Sequence, residues 1–248
     1  IYEYVGTNMN KEKLLYENSK HALQSDNIIA ITNRHLCSRP FMEQLERVCK
    51  LHPHAIVLRE KDMPEAEYLS LARDVIALCK KYDVQCMLHS FINVAMELEH
   101  PYIHLPLPIL EAYVKKNVSG NISTGMSKST DNYQQFFKVI GTSVHSVEDA
   151  IKAEQLGATY MTAGHIFATD CKKGLPPRGL DFLKNVCDAV GIPVYAIGGI
   201  NIASNYNSTA SDSPSTYDAV RDISVPRLAE VMECGAAGGC IMSGMMRV

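Results

Sequence analysis

Eight short apolar runs, several of them rich in β-branched residues, alternate along this chain with longer segments of helical period. Short unbroken apolar runs are typical of parallel strands that are covered on both faces. Eight such strands alternating with helices predict a closed (βα)8 TIM barrel of the α/β class rather than an open sheet. The predicted strands are Ile28–Thr32, Ala55–Arg59, Gln85–His89, Tyr102–Leu105, Lys138–Ser143, Tyr160–Gly164, Val194–Ile197 and Gly239–Met242.

Three of the helical segments begin or end with a residue that is typical of a helix terminus. The segment Pro64–Tyr82 repeats apolar residues at three- and four-residue spacing and opens with a proline, which suits a first helical turn. Ser146 predicts an N-cap for a helix over Val147–Leu156. Gly235 suits the end of a helix over Arg227–Cys234.

Length and composition exclude several classes of protein. The 248 residues match the ~250 typical of a TIM barrel, and a hydrophobic fraction of 46% is enough for one large core. A net charge of −3 provides no basic surface for nucleic acid. No apolar run approaches the ~20 residues that span a membrane, and the first residues lack a signal-peptide pattern. We therefore expect a cytoplasmic protein with no nucleic-acid or membrane partner. The sequence is compatible with a homo-oligomer.

The chain is predicted to form one domain, and two of its segments do not follow the alternation of strands and helices. Residues 28–248 form the predicted barrel, and residues 1–27 form an N-terminal extension. Residues 201–222 are rich in Ser and Asn and predict a mobile insert, either a lid or disordered padding.

The eight cysteines form no CxxC pair. We expect them to be reduced thiols, most of them buried and packed as small apolar side chains. Cys171, in a polar loop beside Lys172, is the one for which a nucleophilic role stays open.

Two predicted strands run directly into polar loops, at 140–146 and 163–174. On a barrel of parallel strands, reactive side chains collect at these strand ends. His145 is the candidate acid–base group because an ordinary histidine pKa of ~6.5 suits proton transfer near neutral pH. A capping or core role for His145 is the alternative. His89 and His165 occupy equivalent strand ends, but their dispersal lacks a metal-ligand spacing.

Paired glycines follow the seventh predicted strand, at Gly198 and Gly199, and Ser243-Gly244 follows the last. Bare backbone N–H groups can approach an anion closely, and the loops after strands seven and eight of such barrels often form a phosphate site. We therefore predict phosphate binding by these four residues. Two tight turns without a ligand are the alternative.

A charged turn, Arg59-Glu60-Lys61-Asp62, closes the second predicted strand. A solvated turn is the ordinary explanation of such a run. At a strand end, however, the guanidinium of Arg59 could face the barrel mouth and bind a carboxylate or a phosphate.

At these residues the chain resembles the thiamine phosphate synthase superfamily, whose fold is a βα barrel. The resemblance implies one of two activities. Synthases join a thiazole phosphate to a pyrimidine methyl pyrophosphate and release pyrophosphate with Mg²⁺ present. The TenI-like tautomerases aromatise a thiazole carboxylate phosphate by moving a proton, without a metal. The matching motifs are Ile31–Arg34, Leu58–Asp62, Gly141–Ser146, Gly164–Lys173 and Ile197–Ile200.

Within the superfamily, the resemblance favours the tautomerase. Synthases carry Asn-Asp where this chain has His89-Ser90, and an Asp soon after His104-Leu105, where this chain has Pro106–Ile109. Both carboxylates expected for Mg²⁺ are therefore missing, and a hard divalent cation prefers oxygen ligands. The loop Gly164–Gly174 also matches the tautomerase pattern, whereas the charged turn at 59–62 has the synthase form.

The sequence thus predicts a thiazole tautomerase of thiamine biosynthesis that binds a small thiazole phosphate and needs no cofactor. The alternatives are a thiamine-phosphate synthase with Mg²⁺ as its cofactor, and an inactive barrel that only binds a phosphate ligand. We assign catalysis to His145 and no residue to a metal. Substrate binding is assigned to Arg59, Lys61, His89, Ser143, His165, Thr169 and Lys172, and phosphate binding to Gly198, Gly199, Ser243 and Gly244.

Overall fold

A computed structural model describes residues 27–122, 136–169, 172–204 and 223–248. Eight parallel strands close into a barrel in the order β1-β8-β7-β6-β5-β4-β3-β2. The predicted TIM barrel is therefore confirmed. The strands are β1 Ile28–Ile31, β2 Ala55–Leu58, β3 Gln85–His89, β4 Tyr102–Pro106, β5 Val139–Val144, β6 Tyr160–Gly164, β7 Val194–Ile197 and β8 Gly238–Ile241.

Every predicted strand is present within one residue of its predicted ends. Seven α-helices accompany the strands in the described part of the chain, and a short 3-10 turn, Arg34–Leu36, follows β1. After β8, the described chain forms a turn over residues 243–247. The helices are α1 Phe41–Lys50, α2 Glu65–Lys81, α3 Ile92–Glu97, α4 Leu107–Ile122, α5 Val147–Gln155, α6 Gly179–Ala189 and α7 Leu228–Glu233.

Two apolar layers hold the barrel together, because side chains along a strand alternate between its faces. One layer packs strand residues against the helices and includes Leu45, Leu58 and Val75. The other fills the barrel interior and includes Ile29, Met87 and several residues of the other strands. Each fully buried aliphatic side chain contributes roughly 1.5–3 kcal/mol. The barrel is thus a packed core, and its open end lies beyond the last apolar layer.

Two of the three predicted helix end signals are confirmed. The Ser146 hydroxyl accepts a 3.0 Å hydrogen bond from the Asp149 backbone N–H, so Ser146 is the N-cap of α5. Gly235 has a φ of +93° just after α7, a conformation that favours glycine. Pro64 differs slightly from its prediction, because it precedes the first turn of α2 as its N-cap.

The predictions for residues 1–26, for Cys171 and for most of the Ser/Asn-rich insert lie outside the described residues. The structure describes the first residues of the insert, where Ala203–Ser204 pairs with Ile223–Ser224, directly after the insert, as a two-residue antiparallel ladder. Because this ladder follows β7, the insert leaves from the carboxyl end of the barrel. Among the described helices, none has both the length and the hydrophobicity needed to cross a bilayer.

Candidate functional site

The carboxyl ends of the parallel strands form the barrel mouth, where the sequence places its candidate residues. In the closed order, β3 and β4 lie four strands away from β7 and β8, respectively. The mouth therefore has two opposite sides, one formed by β3 and β4 and the other by the turns after β7 and β8.

His145 lies directly after β5, and its ring is held at one nitrogen. The Nδ1 atom lies 2.9 Å from the backbone carbonyl oxygen of Gly164, at the end of β6. A carbonyl only accepts hydrogen bonds, so Nδ1 carries the proton and Nε2 of the neutral ring is left with its lone pair. The backbone N–H of His145 donates to Asp149 Oδ2 at 3.2 Å, which fixes the residue against α5.

A cavity of about 410 Å³ opens beside His145. His145 and Gly164 line one wall, and the segment after β6 lines the rest with His165, Lys172 and residues 175–178. This segment is anchored at its far end, because the Arg178 backbone N–H donates to the His165 carbonyl at 3.0 Å. The cavity therefore brings together three of the predicted site residues: His145, His165 and Lys172.

Three predicted site cations, Arg59, Lys61 and Lys172, lie near enough to one another to interact electrostatically. Partial burial of its ammonium group lowers the pKa of Lys61, and the charges of Arg59 and Lys172 lower it further. Among the described residues, none of the three forms a salt bridge. Mutually repelling cations without an acidic partner are typical of an anion-binding site.

The two carboxylates of the charged turn 59–62, Glu60 and Asp62, bind Arg34 rather than the neighbouring cations. Glu60 is buried and binds Arg34 Nη1 at 3.0 Å, while it accepts the Thr32 hydroxyl at 2.6 Å. Asp62 binds Arg34 Nη2 at 2.7 Å. The turn thus separates its charges: Arg34 neutralises Glu60 and Asp62, and Arg59 and Lys61 stay available to a ligand.

His89 and His104 lie side by side beneath these cations, in register on β3 and β4, with ring centroids 5.6 Å apart. Burial lowers the pKa of His89 to about 2, helped by the charges of His104, Lys61 and Arg59. Burial, with the charges of Arg59 and Lys61, also lowers the pKa of His104 to about 3. Both rings are therefore neutral near pH 7 and act as dipolar groups.

Ser143 joins a buried chain of hydrogen bonds that the sequence analysis did not find. His104 Nε2 lies 2.9 Å from the Ser143 hydroxyl, and His104 Nδ1 lies 2.9 Å from the Tyr160 hydroxyl. The Thr162 hydroxyl lies 3.0 Å from that of Ser143. A sequence signal for His104 was present in β4, where Tyr102, His104 and Pro106 alternate with two buried apolar residues.

The glycine pair after β7 is packed against the segment after β6. Gly198 has a φ of +98°, and a Cβ atom there would lie 2.4 Å from the His165 Cβ. Gly199 has a φ of +70°, and a Cβ there would lie 2.6 Å from the Phe167 Cβ. Protein atoms therefore account for the absence of side chains at both positions, and phosphate binding by these residues stays a prediction.

The turn after β8 lies beside the same region. A Cβ atom on Gly244 would lie 3.1 Å from Ile202 Cγ1, three residues beyond Gly199. Ser243 is half-buried within the turn, where the Met246 backbone N–H donates to the Met242 carbonyl at 3.1 Å. Thr169 is half-buried in the segment after β6, where its carbonyl accepts the Lys172 backbone N–H.

The donor atoms at the mouth do not suit a hard divalent cation. Within residues 27–122, 136–169, 172–204 and 223–248, no three His, Cys, Asp or Glu side chains are grouped as a metal site. The Glu60 and Asp62 carboxylates are bound to Arg34, and the positions of the expected Mg²⁺ ligands include His89 and Ser90. Mg²⁺ is usually held through one or two carboxylates, whereas His89 offers a nitrogen and Ser90 a neutral hydroxyl.

The closed barrel and the polar groups at the carboxyl ends of its strands define the class: a TIM-barrel protein with a candidate ligand site at its mouth. A family model described as thiamine monophosphate synthase matches residues 28–212, about three quarters of the chain. The chain belongs to this family, whose enzymes act in thiamine biosynthesis. The superfamily recognised in the sequence is thereby confirmed.

Relatives of known sequence and structure agree with this membership. A protein of Aquifex aeolicus, provisionally named thiamine-phosphate synthase 2, is 35% identical over 70% of this chain and 84% of its own. The thiamine-phosphate synthase of Caldanaerobacter subterraneus is 29% identical over 72% of this chain and 77% of its own. The thiamine phosphate pyrophosphorylase of Pyrococcus furiosus has a TM-score of 0.60 and 25% identity, covering 92% and 89% of the two chains. These names favour the synthase alternative over the tautomerase prediction.

Proposed function

We propose that this protein is a thiazole tautomerase, which isomerises a thiazole carboxylate phosphate by proton transfer at His145. The observation that carries the proposal is the 2.9 Å hydrogen bond from His145 Nδ1–H to the Gly164 carbonyl. It leaves Nε2 as the one ring nitrogen able to accept and return a proton, on a residue that lines the mouth cavity.

The chemistry needs one group that works in both directions. Nε2 accepts a proton from the saturated ring carbon of the substrate, and the ring double bond forms as the exocyclic double bond is lost. The imidazolium then returns a proton to the exocyclic carbon. The charge on the protonated ring is stabilised through Nδ1–H, which keeps its hydrogen bond to the Gly164 carbonyl throughout. Aromaticity of the product supplies the driving force.

The two anionic ends of this substrate suit the two sides of the mouth. Arg59, Lys61 and Lys172 repel one another and have no described salt-bridge partner, so a carboxylate would relieve that repulsion. The phosphate would lie at the turns of Gly198 and Ser243, on the opposite side. The remaining predicted contacts, from His89, His165 and Thr169, belong to the same proposal.

The alternative is the synthase reaction, and the names of the relatives favour it. That reaction uses Mg²⁺ in the family that the sequence resembles. The donor atoms of the described mouth residues do not suit this ion, because the nearby carboxylates are bound to Arg34. We therefore prefer the tautomerase, whose reaction needs no metal.

Two assays on the same preparation test the proposal. The first follows formation of the aromatic product from the thiazole carboxylate phosphate isomer in the presence of a chelator. The second follows pyrophosphate release from thiazole phosphate and the pyrimidine pyrophosphate with Mg²⁺ added. Isomerisation alone supports the proposal, and pyrophosphate release alone identifies the synthase. Absence of both activities would leave a barrel that binds phosphate ligands without turnover.

A further inference from the structure

A chain of four polar side chains runs under the mouth from β4 to β6, and each of its members is partly or wholly buried. It consists of Tyr160, His104, Ser143 and Thr162, linked by contacts of 2.9, 2.9 and 3.0 Å. Buried polar hydrogens need an acceptor, and each hydroxyl supplies only one hydrogen. These two conditions fix the direction of every hydrogen bond in the chain.

The Tyr160 hydroxyl is the first donor in this chain of hydrogen bonds. Among the described residues, the only hydrogen-bond partner of its buried hydroxyl is His104 Nδ1, so the phenol donates to that nitrogen. A neutral imidazole then carries its proton on the other nitrogen. The Nε2–H of His104 therefore donates to the Ser143 hydroxyl oxygen.

Thr162 completes the arrangement. Its buried hydroxyl has Ser143 as its one hydrogen-bond partner in the described structure, so it also donates to Ser143. Both lone pairs of the Ser143 oxygen are then occupied. The hydrogen of Ser143 has no acceptor left within this chain and is free for a ligand.

We propose that Tyr160, His104 and Thr162 are positioning residues that make Ser143 an obligate hydrogen-bond donor to an oxyanion of the ligand. We identify that oxyanion as the substrate carboxylate, an identification that rests on the proposed function. Arg59 and Lys61 follow β2, which is separated from the β4 strand of His104 only by β3, and their charges act on His104, the hydrogen-bond neighbour of Ser143. A ligand that presents a donor or an apolar group to Ser143 is disfavoured, because the hydroxyl cannot turn to accept.

Gly141 is the residue that makes this chain of hydrogen bonds fit. A Cβ atom at Gly141 would lie 2.2 Å from Cζ of the Tyr160 ring and 2.4 Å from its hydroxyl oxygen. These two residues are partners in register on β5 and β6. The glycine therefore provides the space through which the phenol reaches His104.

The first test measures the proton directly in the unmodified protein. Long-range ¹H–¹⁵N correlation spectra of histidine-labelled protein distinguish a protonated ring nitrogen from a bare one. The assignment of the His104 signals comes from the spectrum of His104→Gln. We expect a proton on Nε2 and none on Nδ1 of His104. A proton on Nδ1 would overturn the proposal.

The second test measures specificity by calorimetric binding of two probes, the aromatic thiazole carboxylate phosphate and the thiazole phosphate that lacks the carboxylate. Tyr160→Phe removes only the hydroxyl and keeps the ring. We expect about a ten-fold weaker binding of the carboxylated probe, as for loss of one charge-assisted hydrogen bond, and no change for the other probe. Equal weakening of both probes, or no weakening of either, would contradict the positioning role.

Tyr102→Phe is the matched control, since Tyr102 lies two residues before His104 on β4 and its hydroxyl has no described hydrogen bond. This variant should bind both probes like the unmodified protein. The proton on His104 is measured without turnover, so its result is separate from that of the proposed reaction. A proton on Nε2 together with no isomerisation would refute the proposed function and leave the directed chain of hydrogen bonds supported.

Discussion

His145 Nδ1 and the carbonyl oxygen of Gly164 lie 2.9 Å apart, and this contact links the residue that follows β5 to the end of β6 at the barrel mouth. It fixes the tautomer of the ring and leaves Nε2 as the nitrogen that can exchange a proton. The proposed reaction depends on this nitrogen more than on any other atom of the protein.

Replacing His145 by Asn is expected to abolish isomerisation while ligand binding is retained. A positioned acid–base group contributes about 10²-fold to 10⁴-fold in rate, so turnover should fall by that range. Product formation by NMR and phosphate-ligand binding by calorimetry measure the two effects. His52→Asn is the control, because His52 is exposed at the opposite end of the barrel with a φ of +47° that Asn tolerates. Normal turnover by His145→Asn would refute the assignment.

Replacing Lys61 by Gln should weaken binding of the carboxylated ligand by roughly ten-fold, as for loss of one charge-assisted contact. The reason is that Lys61 stands against Arg59 and Lys172, whose repulsion an anion relieves. Affinity should also fall as salt rises, and this salt dependence should be smaller in the variant. Lys80→Gln, an exposed change on α2, is the control. Unchanged affinity in Lys61→Gln would argue that the cations face solvent only.

Replacing Arg34 by Met should lower the free energy of unfolding by about 3 kcal/mol, because the buried Glu60 carboxylate then loses its charged partner. Urea unfolding monitored by circular dichroism measures the change. A double variant that also carries Glu60→Gln should recover part of the loss, since no buried charge is left without a partner. Arg73→Met, an exposed change on α2, should have little effect. A loss no greater than in this control would show that the pair is not stabilising.

Stability is expected to fall as the pH decreases below about 6.5. Burial lowers the pKa values of His89 and His104 to about 2 and 3, whereas the unfolded chain keeps its ordinary value. The unfolded state therefore binds protons that the native state does not. The stabilisation is complete above pH 6.5. Well below that pH, each of the two histidines lowers the free energy of unfolding by about 1.4 kcal/mol per pH unit. Urea unfolding between pH 7 and pH 5 should show this slope, reduced by one histidine in His104→Gln. A flat profile would contradict it.

The sequence predicts the barrel well because eight largely apolar short segments alternate with helical ones, and β3, β6 and β7 have the predicted ends. It also predicts the mouth, because strand ends of a parallel barrel meet at one edge. It does not predict that Arg34 binds Glu60 and Asp62, since a partner 26 to 28 residues away has no local pattern.

The chain of hydrogen bonds beneath Ser143 was missed for a related reason. Tyr160 and His104 are 56 positions apart, and their meeting depends on the register of β4, β5 and β6. A glycine at position 141 is explained only once the Tyr160 ring is known to lie over it. Local periodicity identifies which face a residue occupies, but the partner across the sheet follows from strand pairing.

The most direct test of the account is isomerisation in deuterated buffer with a chelator present. Purified protein is incubated with the thiazole carboxylate phosphate isomer, and the product is followed by proton and deuterium NMR. Because His145 exchanges its proton with solvent between removal and return, we predict rapid aromatisation with deuterium at the exocyclic carbon, and its loss in His145→Asn. No aromatisation in the unmodified protein, with pyrophosphate released once Mg²⁺ and the pyrimidine pyrophosphate are supplied, would contradict the account and identify a synthase.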